Sequence, residues 1–125
     1  MHDAATGGHL DAVKLLIKNK AKHNVKDENG MLPIHYAASS NSAEIIELLI
    51  KEGSGLFGKS SPANSITNDG RAPLHFATGR EAVHMLLKYK ANVGLESTEG
   101  YAPLHDMALR GDYEAAWAEI GRAHV

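Results

Sequence analysis

The chain has 125 residues, enough for one domain with a core of its own. With 13 Lys and Arg against 15 Asp and Glu the net charge is -2, which excludes the strong positive field of a nucleic-acid binder. Zero cysteines exclude a disulfide scaffold, a zinc ribbon and a cysteine nucleophile. No apolar run approaches the ~20 residues a bilayer crossing needs, and no charged, apolar leader opens the chain, so a soluble cytoplasmic protein is expected.

The chain opens on Met1-His2-Asp3-Ala4-Ala5, and this phrase returns three times: Pro33-Ile34-His35-Tyr36-Ala37-Ala38, Pro73-Leu74-His75-Phe76-Ala77 and Pro103-Leu104-His105-Asp106-Met107-Ala108. Its histidines lie 33, 40 and 30 residues apart (35 minus 2, 75 minus 35, 105 minus 75). After the first phrase Leu10, Val13, Leu16 and Ile17 follow the 3.6 period, predicting a helix over 10–18. Glu28-Asn29-Gly30 then signals a turn, and Pro33 starts a helix over 33–39, because a proline's missing N–H has no partner to lose there. Ile45, Ile46, Leu48, Leu49 and Ile50 predict a third helix over 43–51.

The following connection is long: Leu49 to His75 spans 26 residues where Leu16 to His35 spans 19. A second turn, Asn68-Asp69-Gly70, precedes Pro73, and Val83, Leu86 and Leu87 predict a helix over 80–88. Leu74 to Leu86 spans 12 residues where Ile34 to Leu48 spans 14, so two residues are missing from the first helix of this unit or from its turn. Thr98-Glu99-Gly100 and Pro103 open the next unit, with a helix over 103–109 and another beginning near Tyr113. Gly30, Gly70 and Gly100 supply the positive φ of the turns, while Pro33, Pro73, Pro103, His35, His75 and His105 take structural places.

Turn, proline-started helix, short turn, second helix and extended return make one unit, and Pro-Leu-His-x-Ala at this period resembles the ankyrin repeat. The resemblance implies an all-α solenoid of about four helix-turn-helix repeats with hairpin turns, the outer ones incomplete. Its bounds are 1–118, with repeats near 1–26, 27–66, 67–96 and 97–118. The family's threonine, whose hydroxyl bonds the histidine, is replaced by Leu32, Ala72 and Ala102, so that bond is lost. The long connection followed by a shortened third repeat further resembles the later ankyrin repeats of the calcium-independent, patatin-like phospholipase A₂ family. There the array precedes a lipase domain whose serine lies in Gly-x-Ser-x-Gly, a pentapeptide these residues lack. The resemblance implies a non-catalytic scaffold from a serine phospholipase that can associate with membranes. An unrelated ankyrin adaptor is the alternative.

Both ends read as cut. Met1 stands where the phrase has its leucine, so the first unit is expected to have lost its turn and to leave one side of Ala4, Ala5, Val13 and Leu16 uncovered. Residues 119–125, Glu119-Ile120-Gly121-Arg122-Ala123-His124-Val125, resemble the translation of a common sequencing adapter and are expected to be a non-native tail.

Gly53-Ser54-Gly55-Leu56-Phe57-Gly58-Lys59-Ser60 fits the phosphate-binding loop letter for letter. That chemistry needs a strand before the loop and a helix after it, but Ala43 to Lys51 is helical by period and Ser61-Pro62 cannot readily begin a helix. A Gly/Ser insertion pinned by Leu56 and Phe57 is the simpler reading, and nucleotide binding the third alternative. The ladder His2, His35, His75 and His105 cannot share a metal, since helices pack ~8–10 Å apart and zinc ligands lie ~2 Å from the ion. No metal or cofactor is expected. His84 falls on an exposed helix face and His9 in a turn. Asp3 and Asp106 share an offset but lie too far apart to form an acid/base pair. Lys14, Lys18, Lys20, Lys22 and Lys26 form a solvated basic face.

Ankyrin arrays bind partners on the concave face formed by turns and first helices. Two offsets point into it: the residue after the turn glycine, which gives Met31, Arg71 and Tyr101, and the residue after the histidine, which gives Tyr36, Phe76 and Asp106. Met, Arg and Tyr are enriched at interface centres. The partner is expected to be a protein or another domain of the parent chain, without nucleic acid or membrane contact, and the uncovered outer repeats favour self-association.

Overall fold

The computed structural model describes residues 2–19, 25–53 and 62–121. Among them are eight α-helices, one 3-10 turn and no strand: α1 His2–Thr6, α2 Leu10–Lys18, α3 Pro33–Ser39, α4 Ala43–Gly53, the 3-10 turn Pro62–Asn64, α5 Pro73–Phe76, α6 Arg80–Lys88, α7 Pro103–Arg110 and α8 Tyr113–Gly121. The helices over 10–18, 33–39 and 80–88 coincide with the sequence prediction, while α4 runs on to Gly53 and α7 to Arg110. They form two rows. In the inner row α1 packs on α3, α3 on α5 and α5 on α7, and in the outer row α2 packs on α4, α4 on α6 and α6 on α8.

The core lies between the rows. Ile34 and Leu74 of the inner helices meet Ile45, Ile46, Leu49, Val83 and Leu86 of the outer ones, all at most 2 % exposed. Alanines 5, 37, 38 and 77, each at 0 % exposure, let the inner helices approach closely. The first unit departs from expectation. Ala5 and Val13 are fully buried, because α1 and α2 turn these side chains toward α3 and α4. Ala4 and Leu16 are half-buried, and Leu15, at 60 % exposure, and Val25, at 45 %, are large apolar side chains left open there.

Each hairpin closes on itself and on its neighbour. Thr67 N–H donates to Arg71 O and Ser97 N–H to Tyr101 O, both at 2.9 Å, as Asp27 N–H does to Met31 O. Between tips, Asn68 N–H donates to Asn29 O at 3.1 Å and Thr98 N–H to Asp69 O at 2.9 Å. Gly30 makes that approach possible. Its φ is 77°, and a Cβ there would stand 2.5 Å from Asn68 Oδ1.

The long connection returns as an anchored segment. Ala63 is buried in the core, Asn64 Nδ2 donates to Lys90 O at 3.2 Å, and Asn64 Oδ1 accepts from Asn92 N–H at 2.7 Å. Gly53 closes α4, so a helix and not a strand precedes the Gly-rich sequence, and a 3-10 turn is the next described element. Residues 54–60 of the phosphate-loop match, with Leu56 and Phe57, lie outside the described residues. In α8, Glu119 is 7 % exposed, and the helix continues to Gly121.

Candidate interaction face

The histidines set the face. With Leu32, Ala72 and Ala102 ahead of the helices, no N-cap side chain can accept a bond. Half of the cap survives through the histidine: His35 Nδ1 accepts from Leu32 N–H at 2.9 Å, His75 Nδ1 from Ala72 N–H at 3.0 Å and His105 Nδ1 from Ala102 N–H at 3.1 Å. With Nδ1 an acceptor, the ring proton sits on Nε2 and is donated forward. His35 Nε2 meets Ser65 O and His75 Nε2 meets Tyr101 O, both at 2.9 Å, and His2 Nε2 lies 3.0 Å from Met31 O. His2 and His75 thus tie their helices to the hairpin of the next unit, and His35 ties its helix to the segment leading into it. Burial lowers the pKa of both His35 and His75, keeping them neutral, against the Nε2 bonds to the Ser65 and Tyr101 carbonyls, which favour the charged ring.

The residue after each histidine is packed as well as displayed. Tyr36 stands edge-on to His2, ring centres 5.5 Å apart, and Phe76 edge-on to His35 at 5.6 Å. Both rings remain half-buried. Tyr36 also donates its hydroxyl to Asp27, which lowers the Asp27 pKa and raises that of the phenol. Asp106 is different. At 7 % exposure it accepts Arg71 Nε at 3.0 Å, while Arg71 Nη1 reaches Asp69. Those partners raise the Arg71 pKa, the Asp106 bond most, and Thr67 is foremost in lowering that of Asp69.

Of the six candidate contact residues, Arg71 and Asp106 are therefore brought together as an ion pair joining two units, with little of either side chain open. Tyr36, Phe76 and Met31 are half-buried, and Tyr101, 36 % exposed, lies 6.1 Å from the His105 ring. Asp27 and Asp69 complete the frame and escaped the sequence reading. A signal existed: Asp27, Thr67 and Ser97 share one offset, three residues before the glycine. Each accepts the N–H of Met31, Arg71 or Tyr101, at 2.9, 3.2 and 3.3 Å.

The described cavities lie elsewhere. A groove of about 560 Å³ between α6 and α8 is lined by Arg80, His84, Leu87, Glu114, Trp117 and Ala118, and one of about 400 Å³ sits by Leu10, Asn41, Ser42 and Glu81. Among the described residues no three histidine or carboxylate side chains converge as metal ligands, and no helix is long and apolar enough to cross a membrane.

Paired helices, hairpin turns and the histidine ties define an ankyrin solenoid. The chain belongs to the ankyrin-repeat family, whose model matches residues 1–97 as 3 copies. It is similar to tyrosine-protein kinase HTK16 of Hydra vulgaris, 34 % identical over 88 % of this chain and 14 % of the kinase. It is also similar to inversin of Canis lupus familiaris, 30 % identical over 92 % of this chain and 10 % of inversin, and to alpha-latrotoxin-Lg1a of Latrodectus geometricus, 30 % identical over 99 % of this chain and 9 % of the toxin. The chain thus spans a small part of each of these relatives. Ankyrin repeats are protein–protein interaction scaffolds and generally non-catalytic.

Proposed function

We propose that this chain is a non-catalytic protein-interaction scaffold that binds through its hairpins and inner helices, with Tyr36, Phe76, Met31 and Tyr101 as contact residues and the Asp69–Arg71–Asp106 frame holding them. The observation that carries this reading is the fixing of Tyr36 and Phe76 edge-on against the histidine of the preceding unit, His2 and His35, while each ring stays partly open. Preordered aromatic groups lose little side-chain freedom on binding.

The long connection and shortened third unit support a finer proposal, that the parent protein is a cytoplasmic, membrane-associated calcium-independent phospholipase A₂ and the partner its own lipase domain or another protein. The relatives named above are not named as phospholipases, so this assignment rests on the repeat layout alone. Two steps test it. Sequencing the transcript downstream should reveal a patatin-like domain with Gly-x-Ser-x-Gly, and a different domain would overturn the phospholipase parent. Titrating the chain with the encoded domain should perturb the amide signals of Tyr36, Phe76 and Tyr101, with Tyr36→Ala or Phe76→Ala costing ~2 kcal/mol or more of binding. Perturbation confined to α6 and α8 would move the binding face to the outer groove.

A further inference from the structure

The third unit is the short one, and its inner helix shows where the residues are missing. Helix α5 has 4 residues where α3 has 7. At the end of α3 the chain closes on itself: Ser40 N–H donates to Tyr36 O at 3.0 Å and Ser42 N–H to Ala37 O at 2.9 Å. At the end of α5 the Ala77 N–H bond to Leu74 O, 3.3 Å, is followed by extended backbone at Ala77, φ -61° and ψ 128°. The carbonyls of His75 and Ala77 are then left without the next turn of helix that would have served them.

Side chains of the two neighbouring units take the place of that turn. Arg110, the last residue of α7, donates from Nη1 to His75 O at 2.5 Å and from Nη2 to Ala77 O at 3.0 Å, with its Nε held by Asp112 at 2.6 Å. From the other side Asn41, in the turn after α3, caps α6. Its Oδ1 accepts from Ala82 N–H and its Nδ2 donates to Glu81, both at 2.9 Å. Gly79, at the N-cap of α6, has no side chain to do this, and a Cβ there would stand 2.4 Å from the Asn41 amide carbon. Thr78 Oγ1 adds a bond to Ser39 O at 3.0 Å.

We propose that Arg110, at the end of α7, is a positioning residue for Phe76. By bridging the carbonyls on either side of Phe76, His75 O and Ala77 O, the guanidinium fixes the backbone that carries the ring, and so holds its edge against His35. The planar fork of arginine can serve two carbonyls at once, which the point charge of a lysine cannot do with the same geometry. The contribution of Phe76 to binding rests on the interaction face proposed above, whereas its placement by Arg110 can be read without any partner.

The test is amide exchange and side-chain NMR of the full chain. In Arg110→Ala the Ala77 N–H should exchange about tenfold faster, and the His35 ring signals should move as the Phe76 ring turns away, while the Ile46 amide in α4 keeps its protection. Arg110→Lys, which keeps the charge and loses the fork, should show the same local signature at smaller amplitude. Lys18→Ala, at an exposed cation at the end of α2, should show none of it. Unchanged Ala77 exchange and His35 signals in Arg110→Ala would overturn the proposal. If that variant unfolds, Arg110→Lys decides, and a uniform loss of protection with no excess at Ala77 would equally overturn it. Loss of partner binding in Arg110→Ala with normal Phe76 placement would point to direct contact instead, and normal binding by Phe76→Ala would sink the interaction face while leaving the positioning role intact.

Discussion

Leu74 and Leu104 hold the same place in two copies of one phrase, yet Leu74 is 0 % exposed and Leu104 is 36 %. The histidines beside them divide likewise: His75 is sealed and hands its proton to Tyr101 O, whereas His105 is exposed. The local chemistry is the same in both, down to the bond from the N-cap amide to Nδ1. What differs is what stacks on each inner helix: α7 covers α5, whereas among the described residues no inner helix stacks on the far side of α7. Burial in a solenoid belongs to the interface between units, and a phrase by itself fixes only the shape offered to that interface.

The largest expected break in this comparison comes from truncating the two leucines. Leu74→Ala should cost about 2–5 kcal/mol by denaturant melt, a large share of the ~5–15 kcal/mol that holds a domain together. Leu104→Ala should cost under ~1 kcal/mol, and equal losses would show that Leu104 is covered in solution.

The histidines should follow at smaller scale. His75→Ala leaves Ala72 N–H and Tyr101 O without their partner, costing about 1–3 kcal/mol, and His105→Ala should cost less. Amide exchange at Ala72 and Ala102 would locate the two effects.

Acid sharpens the same contrast. His35 and His75 have folded pKa values below the ordinary 6.5, so the unfolded chain binds protons that the fold refuses. Their contribution is complete above about pH 6.5 and declines as pH falls from there toward the folded values. Asp27 and Asp69, also lowered, add a second loss, as pH falls below the usual carboxylate range. Melting between pH 7 and 5 should therefore weaken the wild-type chain, and by less when His75 is replaced. Stability that rises on acidification would contradict the neutral, Nε2-protonated rings.

Least of all should happen at Trp117, 76 % exposed on α8: Trp117→Ala should leave stability within ~0.5 kcal/mol, and a larger fall would show the α6–α8 groove to be occupied.

Much of the fold was legible because each unit repeats its own local rules. Proline at the first helical position, glycine at positive φ and the 3.6 period act within a few residues, so α2, α3 and α6 came out with their observed ends. The candidate face was legible only as offsets. Arg71 and Asp106 are 35 residues apart along the chain, and nothing in either phrase says that one neutralises the other. The deletion in the third unit was countable in the sequence, but its repair by Asn41 and Arg110 was not, since both reach it from other units.

The sequence by itself determined the repeating unit, its turns and helices and the recurring place of the histidine, because these depend on patterns within a few residues. Only the tertiary structure decided which histidines and leucines are sealed, which way Ala5 and Val13 face, that Arg71 is held between two aspartates, and that neighbours supply the missing turn of α5. Those outcomes depend on side chains about thirty to forty residues apart being brought within hydrogen-bond or van der Waals reach by stacking, a distance over which periodicity carries no information.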